Sequence, residues 1–476
     1  MYTYIKFHAR LNPDNVALGF GRGVISYSRL ANLIASVSQK LLDNGITKQN
    51  TASIDAQGEI LEELIIGLAL SAIGAGWVSR KNLALGKIPS NNLTLTRSAG
   101  DVENKLLIDD SWYEGGLHQS LDNNDNHTWF ITSTSGATGA PKSIHLSNQI
   151  IKQRALLHPS AYGNDVMSRN AGTLLPLGFP FGLMSSISPL LRGGTLVLNS
   201  GSLDDPESNL CNIEHLTVSP QIFSLLLEDP VKFSRQFRSL KSVMLSGSSV
   251  PDSLVNKFRQ NSNLELFSSY GASEVGPVAN MRLGGARLPE DAAGYIYPWV
   301  EVQSVSEDGK PLAAGQEGIL RIKTPYMIHE YHDDPVATEQ VFVDGWFYPG
   351  DVGFISNDNL LYVTGRMDEL INIGGLKISP DKIEATILEH PEVRDAAVFH
   401  VEGKSGIDVI WAAVSTVHNR PIDFRKLNDQ CIEQFGVTAA PKKFFHVGTI
   451  PRTETGKIQR GIIKEILMKG ANNSVH

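Results

Sequence analysis

The most informative segment of this sequence is Thr132-Ser133-Thr134-Ser135-Gly136-Ala137-Thr138-Gly139-Ala140-Pro141-Lys142. It is rich in hydroxyl side chains, has two glycines and one lysine, and contains no acidic residue. Glycines allow backbone N–H groups to converge on one hollow, and hydroxyl groups add hydrogen-bond donors around it. A solvated turn is the simpler interpretation of such a segment on its own. The composition favours instead a loop that binds polyphosphate.

A Walker phosphate loop is the alternative, and the spacing argues against it. That loop needs four residues between its glycines and a lysine directly after the second one. Here two residues separate the glycines, and Lys142 comes three positions after Gly139. Residues 129–131 and 143–146 on either side both have the composition of strands. The loop is therefore predicted to form the tip of a β-hairpin.

Three further motifs, together with this loop, resemble those of the adenylate-forming superfamily and occur in the family's order. They are Tyr270-Gly271-Ala272-Ser273-Glu274, Gly350-Asp351 followed by Gly365-Arg366-Met367-Asp368, and Pro451-Arg452-Thr453-Glu454-Thr455-Gly456-Lys457-Ile458. The superfamily includes acyl-CoA synthetases, adenylation domains and luciferases. The resemblance covers nearly the whole chain and implies an enzyme that uses ATP to activate a carboxylic acid.

Length and composition limit the classes of protein that this chain can belong to. Its 476 residues allow about three domains, and 41% apolar with 19% charged residues is ordinary for a soluble enzyme. The net charge of −8 argues against nucleic acid or an anionic membrane as the main partner. Cys211 and Cys431 are too few for a disulfide framework and fit a cytoplasmic protein. No secretory signal is expected, and the apolar run 64–78 is too short and glycine-broken for a membrane span.

The order of strand and helix patterns predicts an α/β fold with two domains. Strands and helices alternate between residues 195 and 267, which is typical of a parallel sheet, and the tyrosine motif is expected just beyond the last strand. Hairpin patterns from Gly294 to Asp351 predict a small β-rich subdomain. We expect residues 1–367 to form a large N-terminal domain of parallel α/β subdomains plus this β-rich part. Residues 368–476 are expected to form a small, mobile α+β C-terminal domain.

Local patterns predict several further elements. Strands 16–20 and 24–27 are expected to form a hairpin, followed by a helix over 28–44 that ends at Gly45. Further helices are expected over 61–72 and from Ser147, Pro220, Pro251 and Pro380. Residues 372–377 are expected to form a loop.

The resemblance implies a role for each motif in binding ATP and Mg²⁺. The phosphate loop residues Thr134, Ser135, Gly136, Ala137, Thr138, Gly139 and Lys142 would contact the β- and γ-phosphates. Glu274 would ligate Mg²⁺ and Ser273 would contact the α-phosphate. Tyr270 and Gly271 would lie at the adenine, Asp351 would accept from both ribose hydroxyls, and Arg366 would reach ribose or phosphate. Without this context, an isolated acid or arginine is usually a surface residue.

Activation brings a carboxylate and the α-phosphate together, so a cation is needed between two anions. The resemblance assigns this role to Lys457, and a lysine on a polar loop would otherwise simply be solvated. It assigns Asp368 as the hinge about which the small domain rotates between half-reactions. That rotation would withdraw Lys457 and bring Gly374 and Gly375 to the acyl-adenylate, where they would line a tunnel for a pantetheine thiol.

The acyl pocket is expected along residues 175–183, a segment that resembles the one lining it in the family. Phe179 stands where a histidine is frequent. The candidates for the pocket wall are Phe179, Phe181, Ser246, Gly247, Ser248, Ser268, Ser269 and Ala272. They are apolar or small, which favours an apolar aryl or short-to-medium aliphatic monocarboxylate. Arg282 and Arg287 are interpreted as surface residues rather than partners of a second carboxylate.

The expected reaction is therefore ATP-dependent formation of an acyl-adenylate and then an acyl thioester, most simply acyl-CoA. One alternative is an enzyme that loads an acyl or peptidyl carrier protein through its phosphopantetheine, and Lys442 and Lys443 suit either acceptor. A second alternative is a non-catalytic nucleotide-binding protein on the same fold. The segment His329-Glu330-Tyr331-His332 lacks the His-Glu-x-x-His spacing of zinc helices.

Overall fold

The computed structural model describes residues 1–55, 59–79, 89, 92–98, 104–116, 126–134, 141–158, 170–199, 209–262, 264–284, 291–373, 376–402, 408–417, 419–453 and 456–472. Its α-helices are α1 (Tyr2–Leu11), α2 (Tyr27–Asp43), α3 (Ile60–Ile73), α4 (Asn148–Leu157), α5 (Pro180–Arg192), α6 (Pro220–Leu226), α7 (Pro230–Gln236), α8 (Asp252–Asn261), α9 (Pro335–Val341), α10 (Pro380–Leu388), α11 (Phe424–Ala439) and α12 (Arg460–Asn472).

Strands occur throughout the chain. They are β1 (Val16–Phe20), β2 (Gly23–Ser26), β3 (Thr51–Asp55), β4 (Gly76–Ser79), β5 (Asn92–Thr96), β6 (Lys105–Leu107), β7 (Thr128–Ser133), β8 (Ser143–Ser147), β9 (Asn170–Thr173), β10 (Thr195–Leu198), β11 (His215–Val218), β12 (Ser242–Ser246), β13 (Glu265–Ala272), β14 (Gly276–Leu283), β15 (Ala292–Ile296), β16 (Glu301–Val305), β17 (Gly318–Lys323), β18 (Phe342–Val343), β19 (Trp346–Phe347), β20 (Asp351–Ile355), β21 (Leu360–Arg366), β22 (Ile371–Ile373), β23 (Leu376–Ile378), β24 (Val393–Glu402), β25 (Asp408–Thr416) and β26 (Lys443–His446).

The first elements follow the sequence patterns closely. Strands β1 and β2 form the predicted antiparallel hairpin, and α2 follows at once. Tyr27, expected at the end of a strand, is instead the first residue of α2. The reason is local: the Ser26 side chain accepts from the Arg29 N–H at 3.3 Å and so caps the helix one residue earlier.

A six-stranded sheet in the order β6-β5-β3-β4-β7-β8 carries the phosphate loop. All of its pairs are parallel except β7 with β8, which form the predicted antiparallel hairpin. Trp77 on β4 and Trp129 and Phe130 on β7 are fully buried in the core that these strands form. The hairpin is thus fixed at its base, while its tip, residues 135–140, lies outside the described residues.

A second, larger sheet runs in the order β18-β19-β17-β20-β21-β15-β14-β13-β12-β11-β9-β10-β1-β2, with β16 paired to β17. The segment from β13 to β1 is parallel, as predicted, and the strands from β14 onward are antiparallel. The strands of the predicted β-rich part continue this sheet, because β15 pairs with β14 on one side and with β21 on the other. One expectation needs correction: Tyr270 to Ala272 lie within β13 rather than beyond its end, since that strand pairs with β14 as far as Gly276.

Residues after Asp368 form smaller sheets with cores of their own. Residues 372–377, expected as a loop, contain an antiparallel pair of strands, β22 and β23. Strands β24, β25 and β26 form a three-stranded sheet packed with α10, α11 and α12. Cys431 is buried in this core. The boundary between 367 and 368 stays a prediction, and these cores lie on its C-terminal side.

Candidate active site

Glu274 lies in the tight turn between β13 and β14, and its side chain is buried. The Tyr331 hydroxyl donates to its Oε1 atom at 2.8 Å. Burial and the neighbouring Glu274 carboxylate both raise the pKa of Tyr331, so this hydroxyl keeps its proton and remains a donor. The Lys142 ammonium lies 4.9 Å from the centre of the same tyrosine ring. Tyr331 therefore joins the base of the phosphate loop to the predicted metal ligand.

The base of the phosphate loop is closed by two hydrogen bonds. Thr134 N–H donates to the Lys142 carbonyl at 3.0 Å, and Lys142 N–H donates to the Thr134 hydroxyl at 3.4 Å. The predicted contacts Ser135, Gly136, Ala137, Thr138 and Gly139 lie outside the described residues. Lys142 and Thr134 thus bring the loop's two ends together on the side where Glu274 lies.

Asp351 is the first residue of β20, and its carboxylate is buried. The Tyr270 hydroxyl donates to Oδ2, and Arg366 Nη1 lies 3.3 Å from Oδ1. Burial raises the pKa of Asp351, while Arg366 and the hydrogen bond from Tyr270 oppose the rise. A carboxylate oxygen has two lone pairs, so each can still accept from a ligand hydroxyl. The structure therefore brings together three residues that the sequence assigned to nucleotide binding.

Arg366 connects this cluster to the predicted hinge. Its Nε lies 3.2 Å from Oδ1 of Asp368, and its Nη2 donates to the Pro349 carbonyl at 3.2 Å. Met367 N–H donates to the Gly350 carbonyl at 2.8 Å, which continues the pairing of β20 with β21 to the last residue before Asp368. The ordered sheet pairing thus ends where the hinge was predicted.

Lys457 is exposed, on a loop that lies over the large domain. Its backbone N–H donates to the Thr453 hydroxyl at 3.1 Å, and Arg452 anchors the loop through Asp395 at 2.6 Å. A Cβ built on Gly456 would lie 3.4 Å from the Gln221 side chain at the start of α6, so the loop approaches that helix closely. The charge of Lys457 also lowers the pKa of Asp351, so the ammonium lies close enough to interact with that carboxylate.

Ion pairs join the segments on either side of the predicted hinge. Lys382 at the start of α10 lies 2.6 Å from Asp291, and Arg394 on β24 lies 3.1 Å from Glu228. All four side chains are partly exposed. A third cation, Arg460, stays within the small domain and pairs there with Glu369, Asp381 and Glu384.

The acyl-pocket candidates lie along α5 and the carboxyl ends of β12 and β13. The candidates Phe181 and Ala272 pack against one apolar cluster, which the adenine-site residue predicted from the motif, Tyr270, also contacts. Ser246 and Ser269 are register partners, and the Ser246 hydroxyl donates to the Ser269 carbonyl at 3.3 Å. The other candidates occupy neighbouring positions: Phe179 at the N-cap of α5, Gly247 and Ser248 after β12, and Ser268 on β13, whose carbonyl accepts from Asn280.

Gly374 and Gly375, predicted for the thiol tunnel, lie outside the described residues. Arg282 pairs with Glu265 at 2.7 Å on the surface, in agreement with its interpretation as a surface residue.

Sequence reasoning missed two residues of this site, Tyr331 and Arg154. Tyr331 lies in the segment that was considered only for its histidine spacing. Arg154 is buried in α4, and its guanidinium donates to the carbonyls of Ser273 and Glu274, each at 3.0 Å. Burial lowers its pKa to about 10. No local pattern could have marked Arg154, because its acceptors lie more than a hundred positions along the chain.

The residues present fit a magnesium ion that is carried by a nucleotide. Mg²⁺ is usually held by one or two carboxylates together with substrate phosphates rather than by a full protein cage. Glu274 supplies one carboxylate, and the described residues contain no group of three or more His, Cys, Asp or Glu side chains suited to a metal. None of the helices in the described ranges has the length and apolar character needed to cross a bilayer.

Comparison with known proteins agrees with these features. The AMP-binding enzyme family matches residues 77–332, and the AMP-binding enzyme C-terminal domain matches residues 382–457. The chain is 24% identical to an indoleacetate–CoA ligase of Aromatoleum aromaticum, over 98% of both chains. It is 28% identical to 4-coumarate–CoA ligase 2 of Solanum tuberosum, over 78% of this chain and 73% of that one.

A solved structure shares the fold over nearly the whole length. It is o-succinylbenzoate CoA synthetase from Bacillus subtilis in complex with its acyl-adenylate intermediate, at a TM-score of 0.84 and 23% identity, over 97% of each chain. The predicted large α/β domain followed by a small C-terminal domain is thereby confirmed. Since the family match spans more than half of the sequence, this chain belongs to the AMP-binding enzyme family.

Proposed function

We propose that this enzyme is an ATP-dependent acid–thiol ligase that makes an acyl-adenylate and then an acyl-CoA from an apolar aryl or short-to-medium aliphatic monocarboxylate. The observation that carries the proposal is the pairing of two buried carboxylates with tyrosine hydroxyls. Glu274 with Tyr331 faces the base of the phosphate loop, and Asp351 with Tyr270 faces Arg366. The charge of Lys457 lies within reach of the second pair.

In the first half-reaction, an oxygen of the acid attacks the α-phosphorus of ATP and pyrophosphate leaves. Lys457 would stabilise the negative charge that accumulates between the two anions. Asp351 would orient the ribose, which fixes the α-phosphate relative to the acid. Bound Mg²⁺ would neutralise the phosphates, with Glu274 as its protein ligand.

In the second half-reaction, the thiol sulfur attacks the acyl carbonyl and AMP leaves. We propose that the small domain rotates about Asp368 between the two steps, which exchanges Lys457 for residues 374 and 375. CoA is the favoured acceptor because the relatives at 24% and 28% identity are CoA ligases by name. A phosphopantetheine-bearing carrier protein is the acceptor to test against it.

The choice of acid rests on the uncharged character of the candidate pocket. Phe181 packs edge to face on His158, with ring centres 5.4 Å apart. Burial, with a smaller contribution from Arg192, lowers the pKa of His158 to about 3, so this imidazole is neutral at physiological pH. A second carboxylate in such surroundings would need a buried partner.

The test is ATP–pyrophosphate exchange with a panel of acids, followed by thioester formation. The panel contains indoleacetate, 4-coumarate, benzoate and hexanoate. Malonate, o-succinylbenzoate and an α-amino acid are included as acids that carry a second charged group. We expect the highest kcat/KM for an apolar acid and transfer to CoA. A profile led by a dicarboxylate or an amino acid would contradict the substrate class, and exchange with none of the acids would contradict the ligase activity.

A further inference from the structure

Arg154 holds the turn that carries Glu274 through backbone contacts. Its guanidinium donates to the Ser273 carbonyl from Nη1 and to the Glu274 carbonyl from Nη2, each at 3.0 Å. Nε and Nη2 also donate to the Tyr326 carbonyl, at 3.2 and 3.0 Å. One side chain on α4 therefore links the metal-binding turn to the segment after β17.

The turn is shaped around this guanidinium. Gly276, which follows the turn, has a φ of +72°, and a Cβ built there would lie 2.7 Å from Arg154 Nε and 3.1 Å from the Tyr326 ring. Any larger residue at this position would displace the arginine or the tyrosine. The close approach of Arg154 thus depends on a glycine whose backbone is already left-handed.

A strap of residues 324–328 closes the other side of the turn. The Thr324 hydroxyl donates to the Val275 carbonyl at 2.9 Å, and the Tyr326 hydroxyl donates to the Pro277 carbonyl at 2.9 Å. Ile328 N–H donates to the Glu274 carbonyl at 2.9 Å. The Glu274 backbone is therefore held from two sides, by Arg154 and by the strap.

The placement of a cation here needs a reason. The Arg154 side chain is enclosed, and each hydrogen bond that it makes within the described part of the chain goes to a neutral main-chain oxygen. Removing a charge from water costs several kcal/mol, and a methionine or leucine would fill the same helical position without that cost. A guanidinium, in contrast, can hold several carbonyl oxygens in one plane.

We infer that Arg154 is a positioning residue for metal-dependent nucleotide binding: it fixes the Ser273–Glu274 turn so that the Glu274 carboxylate stands ready for the metal carried by ATP. Arg154 acts through the turn and touches neither nucleotide nor metal. Tyr331 then orients the carboxylate from its other side. This inference rests on the proposed function, because it takes Glu274 to be the magnesium ligand.

The experiment compares Arg154→Met, Arg154→Lys and wild type by isothermal titration calorimetry. Three ligands are titrated: Mg·ATP, ATP in the presence of EDTA, and AMP. With the turn released, Arg154→Met is expected to weaken Mg·ATP binding by about tenfold, which corresponds to loss of charge-assisted hydrogen bonds. AMP binding and metal-free ATP binding are expected to stay within about twofold, because neither uses Glu274. Arg154→Lys should recover part of the Mg·ATP affinity.

Arg321→Met is the matched control, since Arg321 lies on β17 and donates to Gln303 and Tyr348 away from the turn. It should leave all three affinities unchanged. Equal weakening of Mg·ATP and AMP by Arg154→Met would overturn the inference, as would no change in either. Loss of a cooperative unfolding transition in both Arg154 variants would also overturn it, because the residue would then be structural. Failure of the proposed ligase function can be told apart from failure of this inference. In that case the wild-type enzyme itself would show no acid-dependent ATP–pyrophosphate exchange.

Discussion

In the large domain, Glu274 and Asp351 are buried and each accepts a hydrogen bond from a tyrosine, whereas in the small domain Lys457 is exposed. The carboxylates lie on a continuous sheet with their donors already in place. The lysine is carried on a loop that is held through the backbone and through Arg452. Groups that bind the same nucleotide in both half-reactions bind it more strongly when they are held in place before it arrives. A group that is needed in only one half-reaction is better placed on a domain that can move away from the site.

The largest effect should follow from removing Lys457. We expect Lys457→Ala to lower acid-dependent ATP–pyrophosphate exchange by about 10²–10³-fold, the usual cost of losing one donor to a developing charge. ATP binding should survive, because the fixed carboxylates remain. Thioester formation from supplied acyl-adenylate should also be retained. Lys469→Ala, at an exposed position on α12, is the control, and equal loss of both half-reactions would refute the division of labour.

The next effect tests the mobility of the small domain. Asp368→Pro removes a backbone donor and fixes φ at the predicted hinge. We expect pyrophosphate exchange near the wild-type rate and thioester formation reduced by about tenfold or more, because rotation is restricted while Lys457 stays in place. Asp368→Ala separates this from loss of the contact with Arg366. A normal thioester rate in the proline variant would move the pivot elsewhere.

A smaller effect should distinguish the roles of the two buried carboxylates in the large domain, Glu274 and Asp351. Tyr331→Phe removes the donor to Glu274 and should weaken Mg·ATP binding by about fivefold to tenfold while leaving AMP binding unchanged. Tyr270→Phe removes the donor to Asp351 and should weaken AMP and Mg·ATP alike. Calorimetry on both variants with both ligands checks this. The same pattern in the two variants would show that the carboxylates do not serve different parts of the nucleotide.

The smallest effect concerns how the folding stability of the large domain depends on pH. His145 on β8 stacks on His332 with ring centres 3.8 Å apart. Burial, with a smaller contribution from His332, lowers its pKa to about 4 from 6.5. Between these values the unfolded chain binds a proton that the folded chain does not, so stability is lost as pH falls from 6.5 toward 4.

His145→Phe keeps an aromatic ring in the stack and removes this titration. We compare the unfolding free energy of the variant with that of wild type at two pH values. The difference between them should favour the variant by roughly 2 kcal/mol more at pH 4.5 than at pH 7.5. Urea unfolding at both pH values measures the difference, with the exposed His329→Gln as control. Parallel pH profiles for wild type and His145→Phe would contradict the expectation.

Much of this fold could be predicted from local sequence. The cap at Ser147, the helices opened by Pro220 and Pro380, and the hairpin around the phosphate loop all follow from residues near one another in the chain. The continuity of the large sheet could not be predicted in this way. It depends on β15 pairing with β21, and those strands are separated by the whole β-rich segment.

The site residues also divide into those that local sequence identifies and those that only the fold brings together. Asp351, Arg366 and Glu274 stand in motifs and could be named from sequence, and the first two are in contact in the structure. Arg154 could not, because its partners are carbonyl oxygens, which every residue has, and the fold alone decides which of them meet it. Tyr331 was overlooked for a related reason, since its importance comes from a glutamate that lies 57 positions earlier in the chain.

The ion pairs Lys382–Asp291 and Arg394–Glu228 contribute only weakly to holding the two domains in the arrangement described here. Exposed or partly exposed pairs typically contribute about 0.2–1 kcal/mol each. Together they would bias a two-state equilibrium by a factor of roughly thirty at most. Both pairs are accessible to salt. If the small domain rotates as proposed, ionic strength would shift the populations of the two arrangements, and the balance between adenylation and thioester formation would respond to the ions around the enzyme.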